Sequence, residues 1–366
     1  MSQDQQLFPL RLLNNRVWRT YSGGQLLESW QGKEVSEDSS FPEEWIASTV
    51  QARNVGREHL IEGLSLIESE DHTLISLKDR IESDPERYLG MKHAKVYGSQ
   101  TAVLVKALDA GERLTIQVHP DRQFAKEVFQ SNFGKTEAWY VIGGREIDGE
   151  MPSVLLGFKP EVTRAYWQEV FERQDIPAMI DCLHRVNVEA GDIFLVEGGV
   201  PHAIGVGCFL IEIQEPTDYT LRVERTTPKG NIVPDMACHL GIGFERMLDA
   251  FHYETLSMNE MLARWKKQPR LINETMGGKQ YSLISSEDTD RFTMSRIEVT
   301  GRYHTYGTGA CVIAVILSGS GTIHYSGKSY EISQSNQWFI PAAVTELIWD
   351  RTSELPLEVI LCYPPQ

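Results

Sequence analysis

Apolar and polar residues alternate along 114–119, and this period of two predicts a short β-strand. Its polar face carries Gln117 and His119. Because side chains two residues apart in a strand project from one face, these two can converge on one point. Pro120 ends the strand, a helical stretch follows at 122–130, and Glu137 precedes an apolar strand at 138–142. The pattern therefore predicts a histidine and a carboxylate at neighbouring strand ends.

Other apolar patterns predict further helices and strands around this segment. Apolar positions at helical spacing predict helices over 74–88, 163–183, 236–241 and 244–267. Apolar or alternating runs predict strands over 96–108, 154–158, 186–196, 210–214, 310–318, 321–325, 337–342 and 357–362.

Tight glycine turns separate the strands predicted between 186 and 214. The order is strand, turn, strand, Gly198-Gly199, Pro201-His202 and another strand. This order of hairpins is typical of a cupin, a small jelly roll of two sheets, whose inward faces can carry metal ligands. His202 is then predicted to complete a set with Gln117, His119 and Glu137. Two histidines, one carboxylate and one amide oxygen suit zinc or another divalent ion with an open coordination position.

A second copy of the same strand pattern is predicted near the C-terminus. Residues 335–348 align with 191–204, and 314–319 align with 139–144. In this alignment Glu346 lies opposite His202, and Val312 lies opposite Glu137. The second copy is therefore predicted to lack the metal ligands and to act as structural support, with His324 as a surface strand residue.

The predicted fold class is mainly β with helical insertions: two cupin-type jelly-roll lobes plus helical segments. A chain of 366 residues exceeds one typical domain. We predict a catalytic cupin domain over 1–235 with a helical insertion near 160–185, a helical connector and linker over 236–275, and a cupin-like domain without metal ligands over 276–366.

Composition narrows the classes of function. No run approaches the roughly 18 apolar residues of a membrane helix, and the first residues lack a signal-peptide pattern. Five widely spaced cysteines without a CxxC pair indicate reduced thiols and a cytoplasmic location. A net charge of −16 disfavours nucleic acid and anionic membranes as partners. An anionic substrate would therefore need a local cluster of basic residues.

Several separated motifs resemble those of one family. They read Gln117-Val118-His119-Pro120-Asp121, Gly134-Lys135-Thr136-Glu137-Ala138-Trp139-Tyr140 and Val200-Pro201-His202-Ala203-Ile204, followed by Glu212 and Arg222. Over roughly 8–235 the chain resembles the type I mannose-6-phosphate isomerases (phosphomannose isomerases) of the cupin superfamily. The resemblance implies interconversion of mannose 6-phosphate and fructose 6-phosphate, with one Zn²⁺ per chain held by Gln117, His119, Glu137 and His202. It also implies that Arg222 is the active-site arginine and that Lys135 contacts substrate.

Aldose–ketose isomerisation needs a base, a cation for the developing oxyanion and a grip on the distant phosphate. Arg222 can stabilise a negative oxygen as charge develops. Glu212 is a candidate base, or else a carboxylate that orients the other groups. Lys135 can steer protons or bind phosphate. Together with Arg225 and Lys229 it would form the basic cluster that a sugar phosphate requires.

The sequence leaves several alternatives open. The closest is an isomerase of a different or unphosphorylated sugar. A non-catalytic sugar-binding cupin and a non-haem iron oxygenase are the others. The identity of the base, the phosphate-binding residues, the metal bound in the cell and the oligomeric state stay undetermined.

Overall fold

The computed structural model describes residues 6–68 and 73–365. Strands outnumber helices in this part of the chain, so the predicted mainly β fold class is confirmed. None of its helices combines the length and apolar character that crossing a bilayer requires.

The first 235 residues contain fourteen of the described strands. They are β1 Leu10–Arg11, β2 Arg16–Val17, β3 Glu43–Ile46, β4 Leu66–Glu68, β5 Leu74–Ser76, β6 Leu104–Asp109, β7 Gln117–Val118, β8 Glu137–Gly144, β9 Ser153–Phe158, β10 Leu183–Asn187, β11 Ile193–Val196, β12 His202–Ile204, β13 Cys208–Gln214 and β14 Leu221–Arg222. The helices before residue 235 are α1 Gln25–Trp30, α2 Leu77–Ser83, α3 Pro85–Leu89, α4 Met91–Tyr97, α5 Arg122–Phe129, α6 Arg164–Glu172 and α7 Ile176–Asp181.

Three short helices follow, and the rest of the described chain is again strands. The helices are α8 Asp235–His239, α9 Phe244–Leu248 and α10 Met258–Trp265. The strands are β15 Lys266–Lys267, β16 Arg270–Thr275, β17 Gly278–Ile284, β18 Thr293–Val299, β19 Arg302–Tyr306, β20 Val312–Ser318, β21 Ser320–Tyr325, β22 Lys328–Ser333, β23 Gln337–Ile340, β24 Glu346–Arg351 and β25 Leu357–Tyr363.

Two antiparallel sheets build the first lobe. One has the strand order β15-β11-β8-β13-β6-β3-β2, and the other has the order β10-β9-β12-β7-β14. Buried side chains from both sheets, including Trp139 and Leu210 of the larger and Leu156 and Ile204 of the smaller, form a common core. This is the two-sheet packing of a jelly roll, in which alternate residues of each strand face inward.

The second lobe repeats this strand order. Its larger sheet runs β1-β23-β20-β25-β18-β17-β16, so β23, β20, β25, β18 and β17 take the places of β11, β8, β13, β6 and β3. The predicted alignment fits, because β23 and β24 begin 144 residues after β11 and β12, and β20 begins 175 residues after β8. The two cupin-type lobes predicted from the sequence are confirmed.

The two lobes share hydrogen bonds and a core. Strand β1 pairs with β23 of the second lobe, and β15 pairs with β11 of the first. One buried cluster includes Ala138 and Ile211 of the first lobe together with Ile313 and Ile360 of the second. The domain boundaries at 235 and 275 stay predictions, and contacts cross both of them.

Three predicted elements differ from the structure. In the helix expected over 74–88, residues 74–76 instead form strand β5. Asp84 divides the remainder into two helices, because its side chain accepts a hydrogen bond from Arg87 N–H and Pro85 begins α3. Residues 91–97 are helical, so the predicted strand begins only at Leu104. The expected helix over 244–267 is interrupted because the backbone between α9 and α10 bonds the first lobe, with His252 N–H donating to Gly199 O at 2.8 Å.

A fragment ending at residue 235 is expected to aggregate. Its large sheet would lose the apolar cover of the second lobe, and β1 would lose its hydrogen-bonding partner. Size-exclusion chromatography of the fragment beside the full chain measures this. A soluble, active monomer would contradict the supporting role of the second lobe.

Candidate metal centre and the adjoining cleft

Three buried side chains meet at the ends of strands from the two sheets of the first lobe. His202 begins β12 and pairs with Gln117 of β7, whereas Glu137 begins β8. His119 Nε2 lies 3.1 Å from Glu137 Oε2, and His202 Nε2 lies 3.4 Å from Glu137 Oε1. Within the described residues, His119, Glu137 and His202 form a group whose donor atoms could hold one metal ion.

The glycine turn before β12 permits this close approach. Gly198 lies against the chain that follows His119, where an added Cβ would come within 2.8 Å of Pro120 O. Gly199 N–H also donates to His119 O at 2.8 Å. A side chain at residue 198 would therefore separate the two histidine-bearing segments.

Gln117 is the fourth predicted ligand and lies at the same point. Its side-chain amide nitrogen is 3.2 Å from His202 Nε2. Turning the amide by a half rotation would present its oxygen there instead, and an oxygen is the atom that coordinates a cation. The structure thus brings together all four residues predicted as ligands.

Backbone carbonyls orient the two imidazole rings. His119 Nδ1 is 2.9 Å from Tyr219 O, and His202 Nδ1 is 2.9 Å from Val200 O. These bonds place the proton on Nδ1 and leave the Nε2 lone pairs directed at Glu137. The same arrangement fixes the tautomer of metal-binding histidines.

The protonation states also suit a metal. Burial lowers the pKa of His119 and of His202, which keeps both rings neutral at neutral pH. Burial alone would raise the pKa of Glu137, but the neighbouring Lys135 ammonium outweighs it and lowers that pKa, so the carboxylate is ionised. Two neutral imidazoles and one carboxylate are the states in which these groups bind a divalent cation.

Lys135 shows that the centre attracts positive charge. Its Nζ lies 2.6 Å from His119 Nε2 and 2.9 Å from Glu137 Oε2, and the side chain is buried. A cation thus contacts two of the candidate ligands. The donor set therefore fits a bound metal ion.

Glu212 lies beside the centre on β13. Trp139 Nε1 donates to Glu137 Oε1 at 3.0 Å and lies 3.4 Å from Glu212 Oε1. Lys106 Nζ lies 3.0 Å from Glu212 Oε2. Burial and the neighbouring Glu137 raise the pKa of Glu212, so the two carboxyl groups differ in their tendency to hold a proton.

A buried chain of ion pairs extends from Glu212, and the sequence did not reveal it. Lys106 lies 3.7 Å from Glu43, Glu43 lies 3.0 Å from Arg19, and Arg19 lies 3.2 Å from Asp218. Of these residues, only Lys106 is recognisable in the sequence, because it is a charged residue in the middle of an otherwise apolar stretch of strand. The others carry no local pattern, because Arg19 and Asp218 are 199 residues apart.

Glu43→Gln is expected to destabilise the fold by about 3–5 kcal/mol at neutral pH, because Arg19 and Lys106 would lose their buried counter-ion. Burial alone would raise the pKa of Glu43, but these two cations lower it well below its usual range. Because the pKa of Glu43 is lower in the folded than in the unfolded protein, its ionised form stabilises the fold at any pH above the unfolded-state pKa. This stabilisation is lost as the pH falls through the folded-state pKa. Urea unfolding at several pH values should show the difference from wild type shrinking in acid. A constant difference would contradict the ion-pair explanation.

A narrow cleft opens beside the centre. Gln117, Lys135, Glu212 and Arg222 line it, together with the ion-paired residues described above. Arg222 is half-buried, and its Nη1 donates to Ala237 O at 2.8 Å. The three residues predicted as catalytic therefore border one cavity.

The two other predicted phosphate-binding residues lie outside this cleft. The Arg225 guanidinium is 4.2 Å from the centroid of the Phe244 ring and 3.7 Å from Asp235. Lys229 is exposed and donates to the Ser22 hydroxyl. Neither residue is among those lining the cleft.

Comparison with known proteins finds similarity to one family. Residues 28–140 match the family described as phosphomannose isomerase type I, catalytic domain. The chain is 28% identical over 284 residues to the probable mannose-6-phosphate isomerase GmuF of Bacillus subtilis (strain 168), covering 75% of this chain and 79% of that protein. The chain is thus similar to the type I phosphomannose isomerases. The resemblance predicted from the motifs is confirmed.

A second relative bears the same enzyme name, and two solved structures share the fold. Mannose-6-phosphate isomerase ManA of the same Bacillus subtilis strain is 33% identical over 130 residues, which cover 34% of this chain and 38% of that protein. The crystal structure of mannose 6-phosphate isomerase from Bacillus subtilis has a TM-score of 0.76 at 20% identity, covering 98% of this chain and 100% of that one. A putative mannosephosphate isomerase from Archaeoglobus fulgidus has a TM-score of 0.73 at 17% identity, covering both chains fully. At such low identities the structures support the fold.

Proposed function

We propose that this chain is a metal-dependent aldose–ketose isomerase that interconverts mannose 6-phosphate and fructose 6-phosphate. The observation that carries the proposal is the buried group His119, Glu137 and His202 beside a cleft lined by Arg222 and Glu212. Relatives that cover three quarters of the chain bear the name of this isomerase, which supports the choice of substrate.

One Zn²⁺ per chain is the proposed cofactor, held by Gln117, His119, Glu137 and His202. Two imidazoles, a carboxylate and an amide oxygen are suitable zinc ligands when one position stays open. The ion would act as a Lewis acid toward the oxygens on C1 and C2 of the sugar. The lowered histidine pKa values and the ionised Glu137 support this assignment.

The chain's own residues would carry the proton transfers. The reaction moves a hydrogen between C1 and C2 through an enediolate, so a base must remove a carbon-bound proton and return it to the neighbouring carbon. Glu212 is the candidate base because it is buried beside the centre, and an orienting role is the alternative. Arg222 would stabilise the negative oxygen of the enediolate, and Lys135 would position substrate or move protons.

Phosphate binding by Lys135, Arg225 and Lys229 stays a prediction. Lys135 lines the cleft and fits it. Arg225 and Lys229 would reach the substrate only after leaving their partners, Phe244 with Asp235 and Ser22 respectively.

A coupled assay for fructose 6-phosphate formed from mannose 6-phosphate tests the proposal. We expect turnover that EDTA removes and added zinc restores. Turnover unchanged by prolonged chelation, with no metal detected by elemental analysis, would contradict the metal-dependent mechanism.

The same assay separates the rival functions. Turnover of free mannose alone would favour an isomerase of unphosphorylated sugar. Metal binding without any turnover would favour a sugar-binding cupin, and iron-dependent oxygen consumption would favour an oxygenase. We also propose that the protein works in the cytoplasm, because its five cysteines are buried and free.

A further inference from the structure

A second, larger opening adjoins the cleft. This outer groove has a volume of about 840 Å³ and shares Arg19, Asp218 and Arg222 with the cleft. Segments 50–55, 216–219 and 232–237 form most of its walls. Tyr219 connects it to the metal centre, since Tyr219 O lies 2.9 Å from the Nδ1 of His119. A substrate bound in the cleft would therefore have the outer groove next to it, beyond these shared residues.

The charges that line the outer groove leave two guanidinium groups without a carboxylate partner. Its charged residues are Arg19, Arg53, Glu58, Asp218 and Arg222. Both oxygens of Asp218 lie 3.2 Å from the guanidinium of Arg19, so these charges neutralise each other. Glu58 accepts from Gly56 N–H at 2.9 Å within its own loop. Among the described residues, Arg53 and Arg222 have no ion pair, which gives the groove a local positive charge in an acidic protein.

The position of Arg53 is fixed by its neighbours. Its backbone N–H donates to Asp218 Oδ2 at 2.8 Å, and the next residue, Asn54, accepts from Arg19 Nη1 at 3.1 Å. Its guanidinium lies 5.0 Å from the centroid of the Tyr219 ring. That ring in turn stacks on Phe129 with centroids 4.6 Å apart. The stack holds the cation over the groove while its N–H groups stay accessible to a ligand.

We propose that Arg53 is a specificity-determining residue that binds the phosphate group of the sugar phosphate in the outer groove, with Arg222 between it and the metal centre. In an open-chain hexose 6-phosphate the phosphate is at the opposite end of the carbon chain from C1 and C2. A planar guanidinium offers two parallel N–H groups to phosphate oxygens, which a dianion accepts. The inference rests on the proposed isomerase function, and it assigns the phosphate to a residue that the motifs did not reveal.

Steady-state kinetics of Arg53→Gln on mannose 6-phosphate test the proposal. We expect KM to rise about 10- to 100-fold with kcat unchanged, since charged hydrogen bonds made equally in ground and transition states are lost. The inhibition constant of inorganic phosphate should rise with KM, and Arg53→Lys should be intermediate. Turnover of free mannose, if the wild type shows any, should not change. An unaltered KM and phosphate inhibition constant in Arg53→Gln would overturn the proposal.

Three control variants distinguish this site from other cations. Arg57→Gln changes an arginine of the same loop that is ion-paired with Glu62 and packs on Trp18, so it should leave KM unchanged. Arg225→Gln and Lys229→Gln test the phosphate prediction made from sequence. An increase in KM for these two, with none for Arg53→Gln, would also overturn the proposal.

Calorimetry with inorganic phosphate separates failure of this site from failure of the proposed function. Wild type without turnover of mannose 6-phosphate would contradict the isomerase proposal. Phosphate binding that is weakened in Arg53→Gln would still support the phosphate site. Equal binding in both proteins would overturn it.

Discussion

His119→Ala is expected to lose both stoichiometric metal and nearly all isomerase activity. The Nε2 of His119 is one of the convergent donor atoms, and its Nδ1 bond to Tyr219 O fixes the ring toward the centre. Without a bound Lewis acid the reaction loses several kcal/mol of charge stabilisation, so we expect kcat/KM to fall by about three orders of magnitude. Elemental analysis of the purified variant and the coupled assay measure the two losses together.

A matched control is His324→Ala. His324 lies on β21 of the second lobe, where its Nε2 is 2.9 Å from Asp350 and far in sequence from the centre. It should retain one metal per chain and wild-type turnover. Because His119 is buried, circular dichroism of both variants checks the fold, and His119→Gln provides a side chain of similar length. Full activity in a folded His119→Ala protein would remove the metal from the mechanism.

Arg222→Lys is expected to keep the fold and the metal but to lose about 10²- to 10³-fold in kcat. The Arg222 guanidinium donates to Ala237 O while it borders the cleft, so it can bond the backbone and the substrate at once. A lysine ammonium is a point charge on a flexible stem and cannot reproduce this fork. Single-turnover kinetics with zinc bound would separate this loss from slower product release.

Arg113→Lys provides the comparison for that variant. Arg113 also lines the cleft, but its guanidinium is held by Glu224 at 2.5 and 2.8 Å. Its replacement should cost stability and leave kcat near wild type. Equal losses of kcat in the two variants, or wild-type kcat in Arg222→Lys, would end the assigned role of Arg222.

The repeat illustrates how much of the fold could be predicted from the sequence. Alternation and glycine turns set the strand boundaries in the first copy, and the alignment carried these boundaries over to the second copy. Strands β20, β23 and β24 begin where the alignment placed them. The helical stretches were less predictable. The segment between α9 and α10 has an apolar stripe that fits a helix, but its backbone bonds Gly199 and Phe158 of the first lobe. A tertiary hydrogen bond of this kind leaves no trace in local periodicity.

The candidate centre and the groove around it were predictable to different degrees. Gln117 and His119 share a strand face by alternation alone, and Glu137 and His202 stand at strand ends that a jelly roll brings together. Arg53 and Arg19 lie in irregular N-terminal segments that predict no particular neighbour. Their position depends on Asp218, which follows β13 far along the chain.

The sequence by itself determined the class of fold, its duplication and the four candidate ligands, because strand periodicity and turn chemistry act over a few residues. Only the tertiary structure decided which charges line the cleft and the outer groove. It placed Arg225 against Phe244 and Lys229 on Ser22, and it left Arg53 over Tyr219 in the outer groove. The pairing of distant side chains depends on sheet register and on how long loops cross the barrel, and neither property is encoded in a local pattern.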